Sequence, residues 1–214
     1  MADVTAAEDA GVLWLATLQR ALARASHDVK DALNGVSVNL EVIRSRAGRP
    51  EAPASTVAQF AEAAGQQVER LTTLIEAVLA LGRAEREPVD VAVALRRIAT
   101  VCGTSASSAD APIEVRADGV ESTLTRVRGD AVRLAIAAPL LDAVTGSDRR
   151  HAASTVVCTI TELEDDVVVS IHAAKRRIAM PDAVGDALRA AGVRWTEGQQ
   201  GKTGQDLSLV FPRA

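Results

Sequence analysis

The chain has three histidines, and only one of them stands among groups that could work with it. In "ARASHDVKDALNGVSVNLEVI", residues 23–43, His27 is followed by Asp28, then Lys30, Asp31 and Asn34 at three, four and seven positions on. An exposed imidazole keeps a nucleophilic neutral fraction at neutral pH. A carboxylate beside it can orient the ring or take a proton, and an ammonium group can draw in a phosphoryl group. Lys30, Asp31 and Asn34 are expected to stack near the same side as His27, because residues three, four and seven apart share one helix face. Chemically the set suits a phosphorylated-histidine intermediate.

The stretch sits within a helical period. Leu15, Leu18, Leu22, Ala25, Val29, Ala32, Val36, Leu40 and Ile43 recur every three or four residues and form one apolar seam. His27 is two residues from Ala25 and two from Val29, roughly 200° around the helix from each, so it is expected to point to water. "RAGRPEAPAST" breaks the pattern, and a second seam follows from Val57 through Phe60, Ala64, Val68, Leu71, Ile75 and Val78 until Pro88 stops it. Two long helices with a short connector predict an antiparallel hairpin. A lone pair cannot hide both stripes, so a dimeric four-helix bundle is expected; the alternative is that the stripes pack on the C-terminal half of the same chain.

Beyond Pro88 the texture changes. "VDVAVALRRIATVC", "GDAVRLAIAAPLLDAV" and "MPDAVGDALRAAG" predict helices, and "PIEVRA" a short strand. "STVVCTITELEDDVVVSIHA" and "VRWTEGQQGKTGQDLSLVFP" predict hairpins. The fold class is α+β: an N-terminal helical hairpin over residues 1–87, then an antiparallel sheet with helices on one face over residues 88–214.

Composition narrows the function. A net charge of −4 leaves no basic footprint for nucleic acid. No apolar run approaches the ~20 residues of a membrane span. The acidic start "MADVTAAEDAGVLWLATLQRA" is unlike a signal peptide, so a cytoplasmic protein is expected. Cys102 and Cys158 lack metal-ligand spacing and read as small buried residues. His151 and His172 have no sequence neighbours that suggest a metal site. "EGQQGKTG" ends like a phosphate loop but has Thr196 where that motif needs glycine, so a hairpin turn is expected.

"SHDVKDALNGV" strongly resembles the H-box of sensor histidine kinases, through Ser26, His27, Asp28, Lys30, Leu33, Asn34, Gly35 and Val36. "RLTTLIEAVLALGRAEREPVDV" resembles the second helix of that family's dimerisation and phosphotransfer domain. "VRGDAVRLAIAAPLLDAV" resembles the segment that carries its N-box, and "AGVRWTEGQQGKTGQDLSLVFP" the closing hairpin of its ATP-binding domain. The likeness runs in the family's order over about residues 15–214. It implies a Bergerat-type α/β sandwich after the helical hairpin, with His27 as phospho-acceptor.

The chain also departs from that family. Where its N-box has asparagines, the nearest residue here is Asp142, with Pro139 in the same segment. Where its D-x-G-x-G should follow an inner strand, the chain has "HAAKRRI". Ala173 falls at the adenine-reading Asp, with Lys175 and Arg177 at the glycines. Alanine cannot accept a hydrogen bond from an amine. "AKRRIAMPDA" leaves no room for a glycine-rich lid. The resemblance with these losses implies a protein with no ATP cofactor, in which Mg2+ enters only with a receiver-domain partner. His27 would accept a phosphoryl group from an aspartyl phosphate on a response-regulator receiver domain and pass it on, as a histidine phosphotransferase, with Asp28 as the ring's orienter and Lys30, Asp31 and Asn34 meeting the partner or its phosphate. The alternative is a non-catalytic pseudokinase that binds a response regulator or a kinase as scaffold or inhibitor. An ATP-dependent kinase would need the missing boxes. Ala32 replaces the family's proline, so the first helix should run straighter below His27. Asp31 stands where phosphatase-competent members carry Thr or Asn, which disfavours hydrolysis.

Overall fold

The computed structural model describes residues 2–48, 54–83, 87–103, 112–117, 119–145, 155–174, 178–198 and 205–214. Helices α1 (Ala2–Ala47) and α2 (Ala54–Leu81) pack along each other. They are antiparallel: the Arg46 guanidinium lies 5.5 Å over the Phe60 ring, and further along Gly35 faces Gln67. α1 runs unbroken through Ala32, a good helix former.

The second part begins with β1 (Val89–Asp90) and α3 (Val91–Gly103), followed by β2 (Ile113–Arg116), β3 (Leu124–Thr125) and α4 (Gly129–Thr145). Then come β4 (Val156–Glu162), β5 (Asp166–Ala173), α5 (Asp182–Ala190), β6 (Arg194–Glu197) and β7 (Gln205–Pro212). Local chemistry explains several boundaries. At the start of α3 the Asp90 carboxylate accepts the Val93 N–H at 3.0 Å, a side-chain cap for a free helical donor. At the end of α5, Gly192 adopts φ +81 and the Val193 N–H reaches back to the Leu188 carbonyl at 2.9 Å, a left-handed cap that suits glycine.

The main sheet has the order β2-β4-β5-β7-β6. β4, β5, β7 and β6 pair antiparallel, as both predicted hairpins require. The expectation of a wholly antiparallel sheet is corrected by β2, which pairs parallel to β4 and makes the sheet mixed. A parallel neighbour needs a long crossover, and the segment holding α4 supplies it. The pair β1–β3 was not foreseen, because two-residue strands carry no periodicity.

Strand β5 shows why one face is covered. Val167, Val169, Ile171 and Ala173 are fully buried, while Val168, Ser170 and His172 alternate to the other face. α4 is buried nearly all round, with Leu134, Ile136, Leu140 and Leu141 at 0–1 % exposure, and it holds Pro139 inside its length. It is sandwiched among other elements: α1, α3, α5 and β7 all touch it.

The α1 seam needs a correction. The residues it buries in its N-terminal half are Ala10, Trp14, Thr17, Ala21 and Ala25, spaced by three or four, whereas Leu15 and Leu40 are 59 % and 50 % exposed. α4 lies against this half of α1, through Arg133 at Trp14 and Asp142 at Arg20, and α5 also touches α1, so part of the stripe packs on the same chain. Small side chains let helix axes approach closely, and here the alanine-rich face takes the contact. A buried arginine fastens the parts. Arg133 of α4 donates to the Leu81 carbonyl at 2.9 Å and to the Arg83 carbonyl at 3.0 Å, at the end of α2.

Candidate phosphoryl-acceptor site

Midway along α1, the contact face passes through Ala25, 3 % exposed, and half-buried Val29. His27 lies on the opposite side with its side chain 80 % exposed, as the helical spacing requires. Lys30, Asp31 and Asn34 are exposed around it. The structure therefore brings together the groups grouped by sequence spacing on one wet face.

The ring's partner is a different carboxylate from the one expected. His27 Nδ1 and Asp31 Oδ2 are 3.2 Å apart. Asp31, four residues on, thus stands at the ring where Asp28 was expected. Neighbours in sequence are 100° apart on a helix and do not face each other, whereas residues four apart stack. Asp28 turns towards α2. With Asp31 and Ala32 it lines a cleft of about 100 Å³ closed on the other side by Gln67, Arg70, Leu71 and Leu74. Gln67 and Arg70 were missed from sequence. Both are three apart on α2, but nothing local to α2 says which residues of α1 they will meet. A side chain on Gly35 would collide with the Gln67 amide, so glycine here makes room for α2's polar face.

The positions read as a lost nucleotide site lie elsewhere. Asp142, on α4, accepts from Arg20 of α1 at 2.9 Å. Ala173 ends β5, fully buried, paired with Val156 and Gln205 on the flanking strands. Lys175 and Arg177, like His151 and the residues 201–204 of the GKTG turn, lie outside the described residues. His172 pairs with Asp206 across the strands, in the register that sets those two residues opposite. No cluster of His, Cys, Asp or Glu suited to a metal ion occurs among the described residues. No helix among them is long and apolar enough to cross a membrane.

This geometry belongs to a known class of domain. Residues 17–87 match the family model of the His kinase A (phospho-acceptor) domain, a span that includes His27, the cleft, the C-terminal part of α1 and all of α2. Through residues 17–87 the chain is related to the phospho-acceptor domain of the histidine kinases, and an α/β part follows. No curated protein sequence matches it. Among solved structures it is similar to the Acinetobacter baumannii histidine kinase AdeS, with 15% identity and a TM-score of 0.47, covering 87% of this chain and 97% of that one. It is similar to the histidine kinase domain of the blue-light activated kinase EL346 of Erythrobacter litoralis, with 16% identity, a TM-score of 0.46 and coverage of 91% and 94%. A third is histidine kinase ThkA in complex with response regulator protein TrrA, with 11% identity, a TM-score of 0.46 and coverage of 94% and 63%.

Proposed function

We propose that this protein is a histidine phosphotransfer protein of a two-component phosphorelay, working without ATP. The observation that carries the proposal is the solvent-facing His27, hydrogen-bonded through one ring nitrogen, inside a phospho-acceptor hairpin. The other nitrogen attacks the phosphorus of an aspartyl phosphate on a response-regulator receiver domain. The P–N bond forms as the P–O bond breaks, and the receiver's carboxylate leaves. The reverse step passes the group to a second receiver. An acyl phosphate carries its own driving force, so no nucleotide is consumed, and any Mg2+ belongs to the receiver. Lys30 and Asn34, on the same face as His27, would meet the incoming phosphoryl group or the receiver surface.

Two features of residues 88–214 support a degenerate ATPase-like domain, of Bergerat type, in place of a working kinase domain. Asp142 is already engaged by Arg20. Ala173 offers no side-chain acceptor and is sealed in the sheet. The clasp of Arg133 on the end of α2 also opposes the large swing by which a separate domain would carry ATP to His27.

A homodimer completes the proposal. Leu33, Val38 and Leu40 of α1 and Val68, Ile75 and Leu79 of α2 are 45–61 % exposed, a large apolar face left open by a single chain. Pairing two hairpins into a four-helix bundle would cover it.

The test uses purified chain and a panel of phosphorylated receiver domains. Acid-labile, base-stable label that appears on the wild type and vanishes in His27→Ala supports the proposal. Binding of a receiver or a kinase without any label would instead identify a scaffold or inhibitor.

A further inference from the structure

We infer that Asp31 is the positioning residue of the acceptor: it fixes the proton of His27 on Nδ1 and so leaves Nε2 as the nucleophile. An ionised carboxylate has no proton to donate, so the 3.2 Å contact between Nδ1 and Asp31 Oδ2 requires the hydrogen to sit on Nδ1. Such a second partner is what selects between the two imidazole tautomers. The neighbouring acid is turned elsewhere in this structure. Asp28 is directed into the cleft with Gln67, Arg70 and Leu74, a third of a turn from the ring. Asp31 is itself 43 % exposed at the rim of that cleft, so its carboxylate reaches the ring on one side and the cleft on the other.

The consequence for the chemistry rests on the phosphotransfer proposal. When the Nε2 lone pair attacks phosphorus and the leaving group departs with the P–O electrons, the imidazole gains positive charge and keeps its Nδ1 hydrogen. Asp31 lies against that hydrogen and offsets the charge, with no proton moved. In the return step the same contact accepts the ring back as the neutral Nδ1–H form. Because both side chains are substantially exposed, solvent screens the effect, and it should be far smaller than in a buried triad.

Two measurements on the full chain test this. Nitrogen-15 NMR of the neutral His27 ring should report Nδ1–H in the wild type and in Asp31→Glu, and a shift to Nε2–H in Asp31→Ala. Phosphoramidate, which phosphorylates imidazole with loss of ammonia, serves as a donor that needs no receiver. His27-dependent labelling should slow about tenfold in Asp31→Ala and be largely restored in Asp31→Glu. An Nε2–H ring in the wild type, or equal labelling rates with and without Asp31, overturns the inference. A wild type with the Nδ1–H ring and Asp31-dependent phosphoramidate labelling, yet inert to every phosphorylated receiver, supports the Asp31 role while sinking the phosphotransfer proposal.

Discussion

The guanidinium of Arg133 lies 5.6 Å over the ring of Trp14, joining the α4 helix of the second part to the long helix of the first. Both residues are nearly buried, at 5 % and 6 % exposure. The same guanidinium donates to the Leu81 carbonyl that ends α2 and to the Arg83 carbonyl just beyond it, so three helices converge on one charged side chain. A helix end has free carbonyls that need donors, and Arg133 supplies two.

Arg133→Ala should therefore destabilise the protein by roughly 2–4 kcal/mol, because it strips donors from two carbonyls and a cation from an aromatic face. Arg133→Lys should recover only part of this, since an ammonium lacks the planar fork. Chemical denaturation measures both. Hydrogen exchange at the end of α2 should rise in the alanine variant more than exchange in β5.

Restoring family residues one at a time should not restore nucleotide binding. Asp142→Asn loses the charge that Arg20 holds, a pair with both side chains about half exposed and worth about 1 kcal/mol or less. Ala173→Asp puts a carboxylate into a fully buried sheet position and should cost several kcal/mol, expressed as a lower denaturation midpoint and not as ATP affinity. Isothermal titration with Mg-ATP should stay flat for both variants. A saturable signal from the wild type would contradict the proposed loss of the cleft.

The open apolar face gives a prediction on assembly. Sedimentation velocity should find a dimer for the wild type, and Ile75→Glu with Leu79→Glu should yield a folded monomer. These two residues are 45 % and 57 % exposed, so charge there leaves the hairpin's own packing intact. A wild-type monomer at micromolar concentration would remove the bundle from the model of function.

The two thiols predict a pH dependence. Burial pushes Cys102 up to about 12, with Arg24 pulling down and Cys158 adding to the rise by lesser amounts, and burial alone pushes Cys158 up to about 12. The ordinary value is 9.0, so above that pH the unfolded chain ionises while the folded one keeps its protons. Stability from these groups is complete below about pH 9 and falls between there and about 12, by up to about 1.4 kcal/mol per pH unit for each thiol. Cys102→Ser with Cys158→Ser should flatten that limb of a stability-versus-pH curve. At pH 8 the native thiols should ignore a disulfide reagent that modifies the unfolded chain readily, because the thiolate is the reactive form.

Much of this protein is written locally. The 3.6-residue period set both long helices and turned His27 outward, since burial of one stripe leaves the opposite side wet whatever packs on it. Alternating β-branched runs set β4 and β5, and the resemblance around His27 marked it as the candidate acceptor before any fold was known. What the sequence left open were relations between distant segments. Asp31 displaced Asp28 as the ring's partner because side-chain direction, not adjacency, decides which carboxylate reaches an imidazole. Trp14, Thr17 and Ala21 took the place expected for Leu15 in the α1 contact, while Leu18 and Ala25 of the expected seam do pack on the core, since periodicity shows that a face is buried but the elements packed on it choose its centre. β2 joined the sheet in parallel, a choice made by the crossover and not by its four residues. Arg20 with Asp142, Arg133 with Trp14, and Gln67 with Gly35 are separated by 32 to 122 positions. Only the folded chain brings such residues to contact, because their pairing depends on the register of whole helices, which no local propensity encodes.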